Sequence, residues 1–298
     1  MSEIIELRQG AAFVRMAPAL GGRITRCGLS VAHGQTCELF HPYPEEHSDL
    51  LHWAKGGVYP LVPYWGRIAN AQLRHAGERI ALRPHPDALP HTLHGTAHQS
   101  QWQVVQREDA QLTLRLEKEP DVHWPWRYSA ELAVSLRPAS LRVEVSVGNA
   151  DAKPMPAGIG LHPYIPCRPS ARLQFNAHKC WVMTPDFLSL RADPVHTVDD
   201  FGAGRSVGPE GFTRCYSEWD GRFQLGDDDE TPALRIVASP GLDHLVLHRP
   251  ADAPYICIEP ASHTADAFNL AADGVAGTGT QVLAPGQSLT GSIEFSLE

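Results

Sequence analysis

Short runs of alternating apolar and polar residues dominate the hydropathy pattern of this chain. Within residues 141–149, Leu141, Val143, Val145 and Val147 occupy every second position, with Arg, Glu and Ser between them. Successive side chains of a β-strand point to opposite faces, so this spacing predicts a strand with one apolar face. The same period recurs in six further segments: residues 111–119, 129–137, 233–239, 244–249, 255–260 and 291–298.

Long helices are not expected between these segments. Glycine and proline each occur 25 times and are spread along the chain, which interrupts helical periodicity. We find no amphipathic pattern longer than about two helical turns. Many short strands separated by turn signals are typical of an antiparallel β-sandwich or barrel. We therefore predict an all-β fold, a large antiparallel sandwich with few short helices, forming one domain over residues 1–298.

Composition and charge exclude several kinds of partner. Hydrophobic residues make up 43% of the chain and the formal net charge is −9. No basic stripe offsets this acidity, which argues against nucleic acids and anionic membrane surfaces. The amino terminus lacks the basic and apolar regions of a signal peptide, and no apolar run could cross a bilayer. The six cysteines include no C-x-x-C pair, as in reduced intracellular proteins. These features predict a cytoplasmic protein.

Sixteen histidines raise the question of a metal site. The densest cluster holds His85, His91, His94 and His98, but the chain lacks an H-E-x-x-H motif and a cysteine pair to complete a tetrahedral site. We therefore predict no metal, and interpret most of these histidines as solvent-exposed loop residues. The acidic segment 225–232 lacks the ligand spacing of a calcium loop.

Missing motifs exclude two common classes of enzyme. The chain has no G-x-S-x-G elbow, which argues against a serine hydrolase of that type. Its glycine-rich segment 274–281 lacks the lysine and the preceding strand of a phosphate-binding loop. We interpret that segment as a turn-rich loop.

One carboxylate stands out at the end of an apolar strand. Alternation in residues 255–262 places Tyr255, Cys257 and Glu259 on one face. Burying a glutamate is costly unless it is paired or used in chemistry. A structural role, pairing with an arginine or binding a neighbouring backbone, is the simpler interpretation of Glu259 taken alone.

A histidine stands in a similar position in residues 158–166. Alternation places His162 on one face with Gly158 and Gly160, and the two glycines leave a gap in that layer of side chains. Such gaps often mark the close approach of a ligand or of another backbone. Taken alone, His162 could be a buried structural residue, a metal ligand or a proton donor. With Glu259 it supplies the pair of residue types most often used for acid–base catalysis near neutral pH.

Five segments in order resemble the aldose 1-epimerases, or mutarotases. They are residues 59–68, 91–104, 124–132, 158–166 and 244–269. The resemblance implies the galactose mutarotase-like fold, a large antiparallel β-sandwich with a sugar cleft on one sheet. It also implies an isomerase that interconverts the α and β anomers of a hexose. Such a reaction requires neither metal nor cofactor, and we expect none.

The resemblance also implies roles for individual residues. It places the general acid on His162 and the general base on Glu259. It places substrate-binding side chains at Arg67 and His94, and we expect Tyr164, two positions after His162, to contact the sugar as well. In this interpretation the glycines before His162 provide clearance for the sugar ring.

Two departures from the family pattern affect the expected sugar. Gly66 stands where such proteins usually have asparagine, and Thr213 or a neighbour replaces an aspartate that contacts a sugar hydroxyl. With Arg67, and with Arg214 expected near the pocket, an anionic sugar is one alternative substrate. A non-catalytic carbohydrate-binding protein of the same fold is a second alternative, and a metal-dependent sugar isomerase a third. We expect a sugar as the only partner of a monomer or homodimer.

Overall fold

A computed structural model describes residues 3–31, 35–226 and 232–297, so most of the acidic segment 225–232 lies outside the described residues. Strands form most of the regular structure. The first eleven are β1 Ile5–Gln9, β2 Ala12–Ala17, β3 Arg23–Ser30, β4 Thr36–Glu38, β5 Val58–Leu61, β6 Gln72–His75, β7 Glu78–Ala81, β8 Gln103–Arg107, β9 Gln111–Lys118, β10 Tyr128–Arg137 and β11 Ser140–Asn149. The others are β12 Met155–Ala157, β13 Gly160–Pro166, β14 Arg172–Met183, β15 Ser189–Pro194, β16 Arg205–Ser206, β17 Phe212–Gly226, β18 Leu234–Ala238, β19 His244–Arg249, β20 Tyr255–Ala261, β21 Gln281–Leu283 and β22 Ser288–Leu297.

Helices are few and short, as the sequence predicts. Within the described ranges the single α-helix, α1, covers Ala267–Ala272. The 3₁₀ turns are Pro18–Leu20, Ala69–Ala71, Pro86–Ala88, Ala97–Gln99 and Thr197–Asp199. None of these helices has the length and apolar character that crossing a membrane requires.

Eighteen strands belong to one antiparallel sheet that folds around a large apolar core. One part of the sheet runs β1–β2–β3–β5–β13–β20–β19–β17. The long strand β17 pairs with β14 and, nearer its end, with β18. From β18 the pairing continues through β22, β11, β10 and β9 to β8. This arrangement confirms the predicted all-β antiparallel sandwich.

The predicted alternation is confirmed in the sheet layer that contains β9, β10 and β11. In β11, Leu141, Val143, Val145 and Val147 are all buried in the core, while Arg142 is exposed. Each of the six other alternating segments contains or overlaps an observed strand. The six cysteines are all free thiols.

The strands β5, β13 and β20 are buried on both faces. Four consecutive residues of β5 and six of β13 are buried. One face of these strands packs on the main core, and the other meets a second apolar cluster that includes Trp53, Trp65 and Trp181. A polar side chain on that second face is therefore removed from bulk water.

Candidate active site

Strand register brings His162 and Glu259 together. In the antiparallel pair β13–β20, Gly160 lies opposite Ala261 and Tyr164 lies opposite Cys257. His162 lies midway between Gly160 and Tyr164 on β13, and Glu259 lies midway between Cys257 and Ala261 on β20. The two residues therefore face each other. Cross-strand partners have side chains on the same face of a sheet. The imidazole Nε2 of His162 lies 3.2 Å from Oε1 of Glu259.

The carboxyl group of Glu259 is buried, with 2% of the residue exposed. Its second oxygen, Oε2, accepts a hydrogen bond from the indole Nε1 of Trp65 at 2.7 Å. Burial raises the pKa of Glu259 to about 8, because the charged form loses its hydration, and the Trp65 hydrogen bond opposes that rise. A carboxyl group with a pKa close to neutral can both take up and release a proton at physiological pH.

Two tyrosine rings pack against the imidazole of His162. The ring centroid of Tyr59 lies 4.7 Å from that of the imidazole and the centroid of Tyr164 lies 4.8 Å from it, and the two tyrosine centroids are 6.5 Å apart. Burial lowers the pKa of His162 well below its ordinary value, and the nearby His94 adds to that effect. Because burial disfavours charge on both His162 and Glu259, the contacting pair binds a single proton around neutral pH.

Two further histidines, His263 and His94, hold the backbone of the segment that carries Trp65. His263 donates from Nδ1 to the carbonyl of Thr264 at 2.7 Å, and its Nε2 accepts the backbone N–H of Trp65 at 3.1 Å. His94 accepts the backbone N–H of Gly66 on Nδ1 at 3.2 Å. Burial lowers the pKa of His94 to about 3, so its ring is neutral and Nε2 carries the proton. Nε2 of His94 is thus a fixed hydrogen-bond donor.

All five site residues expected from the sequence line one cavity. They are Arg67, His94, His162, Tyr164 and Glu259. The cavity volume is about 260 Å³, toward the small end of small-molecule pockets, as suits a ligand of one sugar ring. Segments separated by almost two hundred positions in the chain meet there.

The arginine of this cavity is positioned by a loop. Arg67 is half-buried, donates to the backbone carbonyl of Asp186 at 2.8 Å, and lies 5.1 Å above the ring of Phe187. The preceding Gly66 has a φ of 71°, which glycine adopts readily and asparagine tolerates better than most residues. Glycine at this position, where asparagine is usual, therefore keeps the backbone conformation available.

Arg214, expected near the pocket, does not line this cavity but lines an adjacent one that shares Phe187 and His248 with it. Its guanidinium pairs with Asp199 at 2.6 Å, in a neighbouring cavity. Thr213, one residue earlier, does line the candidate site, where its hydroxyl lies 2.8 Å from Nδ1 of His248. Alternation along β17 explains the difference, because adjacent residues of a strand point to opposite faces.

The interpretation of the histidine cluster as exposed loop residues is wrong. His85, His91, His94 and His98 are all at least 92% buried. Three of them accept backbone N–H groups on Nδ1, which turns imidazoles into internal caps for irregular loops. A loop packed over a sheet must satisfy its backbone donors internally, and histidine supplies an acceptor for that purpose.

The interpretation of the two glycines as clearance for the sugar ring is wrong, whereas the close approach of another backbone is confirmed for Gly160. A β-carbon on Gly158 would lie 2.0 Å from the ring of His263, and one on Gly160 would lie 2.9 Å from the carbonyl oxygen of Pro260. These glycines admit a supporting histidine and the neighbouring strand, instead of a sugar ring. Their contribution to the site is indirect, because His263 fixes the backbone of Trp65.

Several polar or aromatic residues of the site were not expected from the sequence, among them Trp65, Tyr59, Lys55 and His248. Trp65 and Tyr59 lie inside a segment that carries the family resemblance, but nothing in that segment indicates their contacts with Glu259 and His162. Lys55 and His248 also line the cavity. Position 248 has the same parity as 246 in strand β19, and Val246 lies opposite Glu259, so strand pairing could have found His248 if the pairing had been known.

One group of side chains in the described residues could hold a metal ion. The donor atoms of His162, Cys257 and Glu259 lie within 4.8 Å of one another, and all three residues are buried. A nitrogen, a sulfur and a carboxylate oxygen form a donor set that zinc accepts. This group contains both members of the histidine–glutamate contact, so a metal bound there would occupy the same atoms.

Comparison with known proteins identifies related sequences and folds. The sequence model of the family described as Aldose 1-epimerase matches residues 3–296. YphB, an uncharacterized protein of Escherichia coli K12, is 27% identical over 248 residues, which cover 80% of this chain and 83% of YphB.

Solved structures share the fold. The crystal structure of a candidate aldose 1-epimerase from Escherichia coli K12 superposes with a TM-score of 0.85 at 24% identity, covering 99% of both chains. A GalM/aldose epimerase homologue from C. elegans superposes with a TM-score of 0.83 at 16% identity, covering 100% of this chain and 99% of the other.

Proposed function

The chain belongs to the aldose 1-epimerase family, and we propose that it interconverts the α and β anomers of a hexose by acid–base ring opening and closure. The observation that carries this proposal is the 3.2 Å contact between His162 and Glu259 in a cavity the size of one sugar ring. An acid and a base on adjacent strands can reach two adjacent oxygens of one substrate.

Ring opening requires two proton transfers. The hydroxyl on C1 loses its proton to Glu259, and the electron pair of that O–H bond forms the carbonyl. The bond between C1 and the ring oxygen breaks, and His162 donates a proton to that oxygen. Rotation about the C1–C2 bond then presents the other face of the carbonyl, and the reverse transfers close the ring with the opposite configuration. Positioned acids and bases each contribute about 10²–10⁴-fold to rate.

One proton shared by the pair is sufficient for the whole cycle. The state that opens the ring has Glu259 charged and His162 protonated. After opening, Glu259 holds the proton from C1 and His162 is neutral. Burial favours this neutral arrangement, while the hydrogen bond from Trp65 favours the charged one. The hydrogen bond from Trp65 therefore reduces the free-energy cost of forming the charged arrangement that opens the ring.

The remaining cavity residues are proposed to bind the sugar. His94 presents Nε2–H as a donor, because Nδ1 is occupied by the backbone of Gly66. Arg67 is held by its contacts with Asp186 and Phe187, so its free guanidinium donors keep a fixed direction. Tyr164 packs on His162 and lines the cavity, where it limits the positions of the sugar ring.

A binding protein without turnover is the main competing function. Binding a neutral sugar needs hydrogen-bond donors and acceptors, but it does not need a buried carboxyl group in contact with a buried imidazole. Such a pair costs stability through desolvation. Its retention favours catalysis over binding alone. A cytoplasmic location and a monomeric or homodimeric state remain predictions from the sequence.

Anomer exchange measured by polarimetry or magnetization-transfer NMR tests this proposal. We expect the wild-type protein to accelerate exchange of at least one aldose above the buffer rate. We expect Glu259→Gln and His162→Asn each to lower that acceleration by about 10²–10⁴-fold while the fold, followed by circular dichroism, is kept. Exchange at the buffer rate for a panel of neutral and charged aldoses, or full activity in either variant, would refute the proposal.

A further inference from the structure

Three basic residues that line the cavity, Lys55, Arg67 and His248, indicate the charge of the substrate. We propose that the sugar carries an anionic substituent, a phosphate, sulfonate or carboxylate, that is bound by Lys55, Arg67 and His248. This inference rests on the proposed function, since it names the substrate class of the same site.

The first observation is that two cations at the cavity lack a carboxylate partner. Lys55 and Arg67 line the cavity, and no described carboxylate forms an ion pair with either of them. Elsewhere in the described chain many arginines are paired, as in Arg74 with Asp273 and Arg142 with Glu144. The protein as a whole carries a formal charge of −9. Two cations without a carboxylate contact at one small cavity therefore contrast with the acidic character of the chain as a whole.

The second observation is that three basic side chains converge. Arg67 lies over the ring of Phe187, and the imidazole of His248 meets the same ring edge-on, with centroids 6.2 Å apart. Lys55 is close enough to His248 to lower the pKa of that imidazole, an effect second to burial. Arg67, Lys55 and His248 also all act on His94 at the centre of the cavity.

The negative charges near this group do not contact it. Glu259 shares one proton with His162, so that pair is neutral as a unit. Asp87 lines the cavity, and it raises the pKa of Lys55 without forming an ion pair. Asp186 raises the pKa of Arg67, but its carboxylate contacts Thr184 and His91 instead. Both cations are therefore left without a carboxylate contact among the described residues, and both can bind a ligand.

The donor geometry suits an oxyanion. The guanidinium group presents a planar fork that matches phosphate, sulfonate and carboxylate, and the lysine ammonium supplies a mobile point charge. Nδ1 of His248 is engaged with the hydroxyl of Thr213, so Nε2 is left for the ligand. A bound neutral sugar would cover these cations without giving them a counter-charge, which costs affinity.

Kinetics on matched sugars test the inference. We would measure anomer exchange for glucose and galactose, and for glucose 6-phosphate, 6-deoxy-6-sulfonated glucose and glucuronate. We expect kcat/KM for at least one anionic sugar to exceed that for glucose by about tenfold or more. We expect Lys55→Met and Arg67→Gln each to reduce that ratio by about tenfold, and Arg142→Gln, on a distant strand, to leave it unchanged.

Binding without turnover separates the two proposals. Calorimetry on the Glu259→Gln variant should show tighter binding of the same anionic sugar than of glucose, with the difference reduced by 0.5 M salt. Efficient exchange of neutral sugars with equal or weaker use of every anionic sugar would overturn the anion inference and leave the proposed function intact. Absence of accelerated exchange for every sugar would overturn the proposed function itself.

Discussion

Strands β11 and β13 obey the same alternation of side chains but end in different environments. In β11 the side chains that point away from the core are in solvent, and Arg142 and Glu144 form an exposed ion pair at 3.2 Å. In β13 six consecutive residues are buried, and His162 on the second face packs against Tyr59, Tyr164 and Glu259. One layer therefore has an outer face in solvent, and the other has both faces covered by protein.

The comparison shows that the same strand pattern gives charged pairs of different properties, depending on whether the pair is exposed or covered. In water the charges of Arg142 and Glu144 interact weakly, and an exposed pair of this kind contributes about 0–1 kcal/mol. On the covered face of β13 and β20, loss of hydration raises the pKa of Glu259 to about 8 and lowers that of His162 well below its ordinary value, which reverses their usual order. The loops that carry Trp65 and His94 cover that face, and this cover removes His162 and Glu259 from bulk water.

Replacing one carboxyl group by an amide in each region should give the largest difference in the rate of anomer exchange. Glu259→Gln should lower anomer exchange by about 10²–10⁴-fold, whereas Glu144→Gln should leave it within about twofold. Glu259→Gln should nevertheless increase the stability of the fold. The pKa of Glu259 rises from an ordinary 4.5 to about 8 on folding, so its ionisation opposes folding increasingly as pH rises through that window.

Thermal melts check the stability part of this prediction. Glu259→Gln should melt at a higher temperature than wild type at pH 8, and the difference should shrink toward pH 5. Glu144→Gln should change the melting temperature little at either pH. A melting difference for Glu259→Gln that does not vary with pH would contradict a buried, proton-binding carboxyl group.

The pH dependence of exchange should be bell-shaped, after the buffer rate is subtracted. Above about pH 8 the pair loses its single proton from Glu259, and the rate should fall by up to tenfold per unit. Below the pKa of His162, which burial places under its ordinary value of 6.5, the pair gains a second proton and Glu259 can no longer act as a base. The two limits belong to the coupled pair. A rate that keeps rising beyond pH 9 would exclude the shared-proton scheme.

Removal of the Trp65 hydrogen bond should have a smaller effect. Trp65→Phe leaves Glu259 without its N–H donor, so the charged carboxylate is less favoured. We expect exchange at neutral pH to fall by about tenfold and the high-pH limit to move upward. Trp219→Phe is the matched control, because that buried indole donates to the backbone carbonyl of Arg222 at 2.9 Å. If both variants lose activity equally, the Trp65 contact is structural.

Replacing one glycine by alanine in each region tests how tightly the two regions are packed. Gly158→Ala places a methyl group against the His263 ring, which is anchored to two backbone groups and cannot move freely. Gly148→Ala, in β11, meets the hydroxyls of Ser129 and Ser288 at 2.9 and 3.0 Å, and these can rotate away. We expect Gly158→Ala to lower the free energy of unfolding by about 1–3 kcal/mol, and Gly148→Ala by less than about 1 kcal/mol. Urea unfolding measures both, and a larger loss for Gly148→Ala would contradict the packing argument.

Much of the fold could be predicted from the sequence. Alternation in residues 141–149 and in the six similar segments depends only on neighbours two positions apart, so it survives as strand structure wherever the strand is placed. The same alternation placed Glu259 with Cys257 and Tyr255 on one face, and all three line the cavity. The resemblance selected His162, Arg67, His94 and Tyr164, and the structure brings them to one place.

The properties of the site come from tertiary structure. The burial of His85 and His98, the contact of Trp65 with Glu259, and the ring of His263 against Gly158 all join residues that are distant in sequence or depend on how loops cover a sheet. Hydrophobic spacing reports which face of a strand is apolar, but it does not report what covers the other face. Desolvation depends on that cover, and desolvation sets the proton affinities of His162 and Glu259. The candidate residues were therefore readable from the sequence, whereas their burial, contacts and proton affinities were decided by the fold.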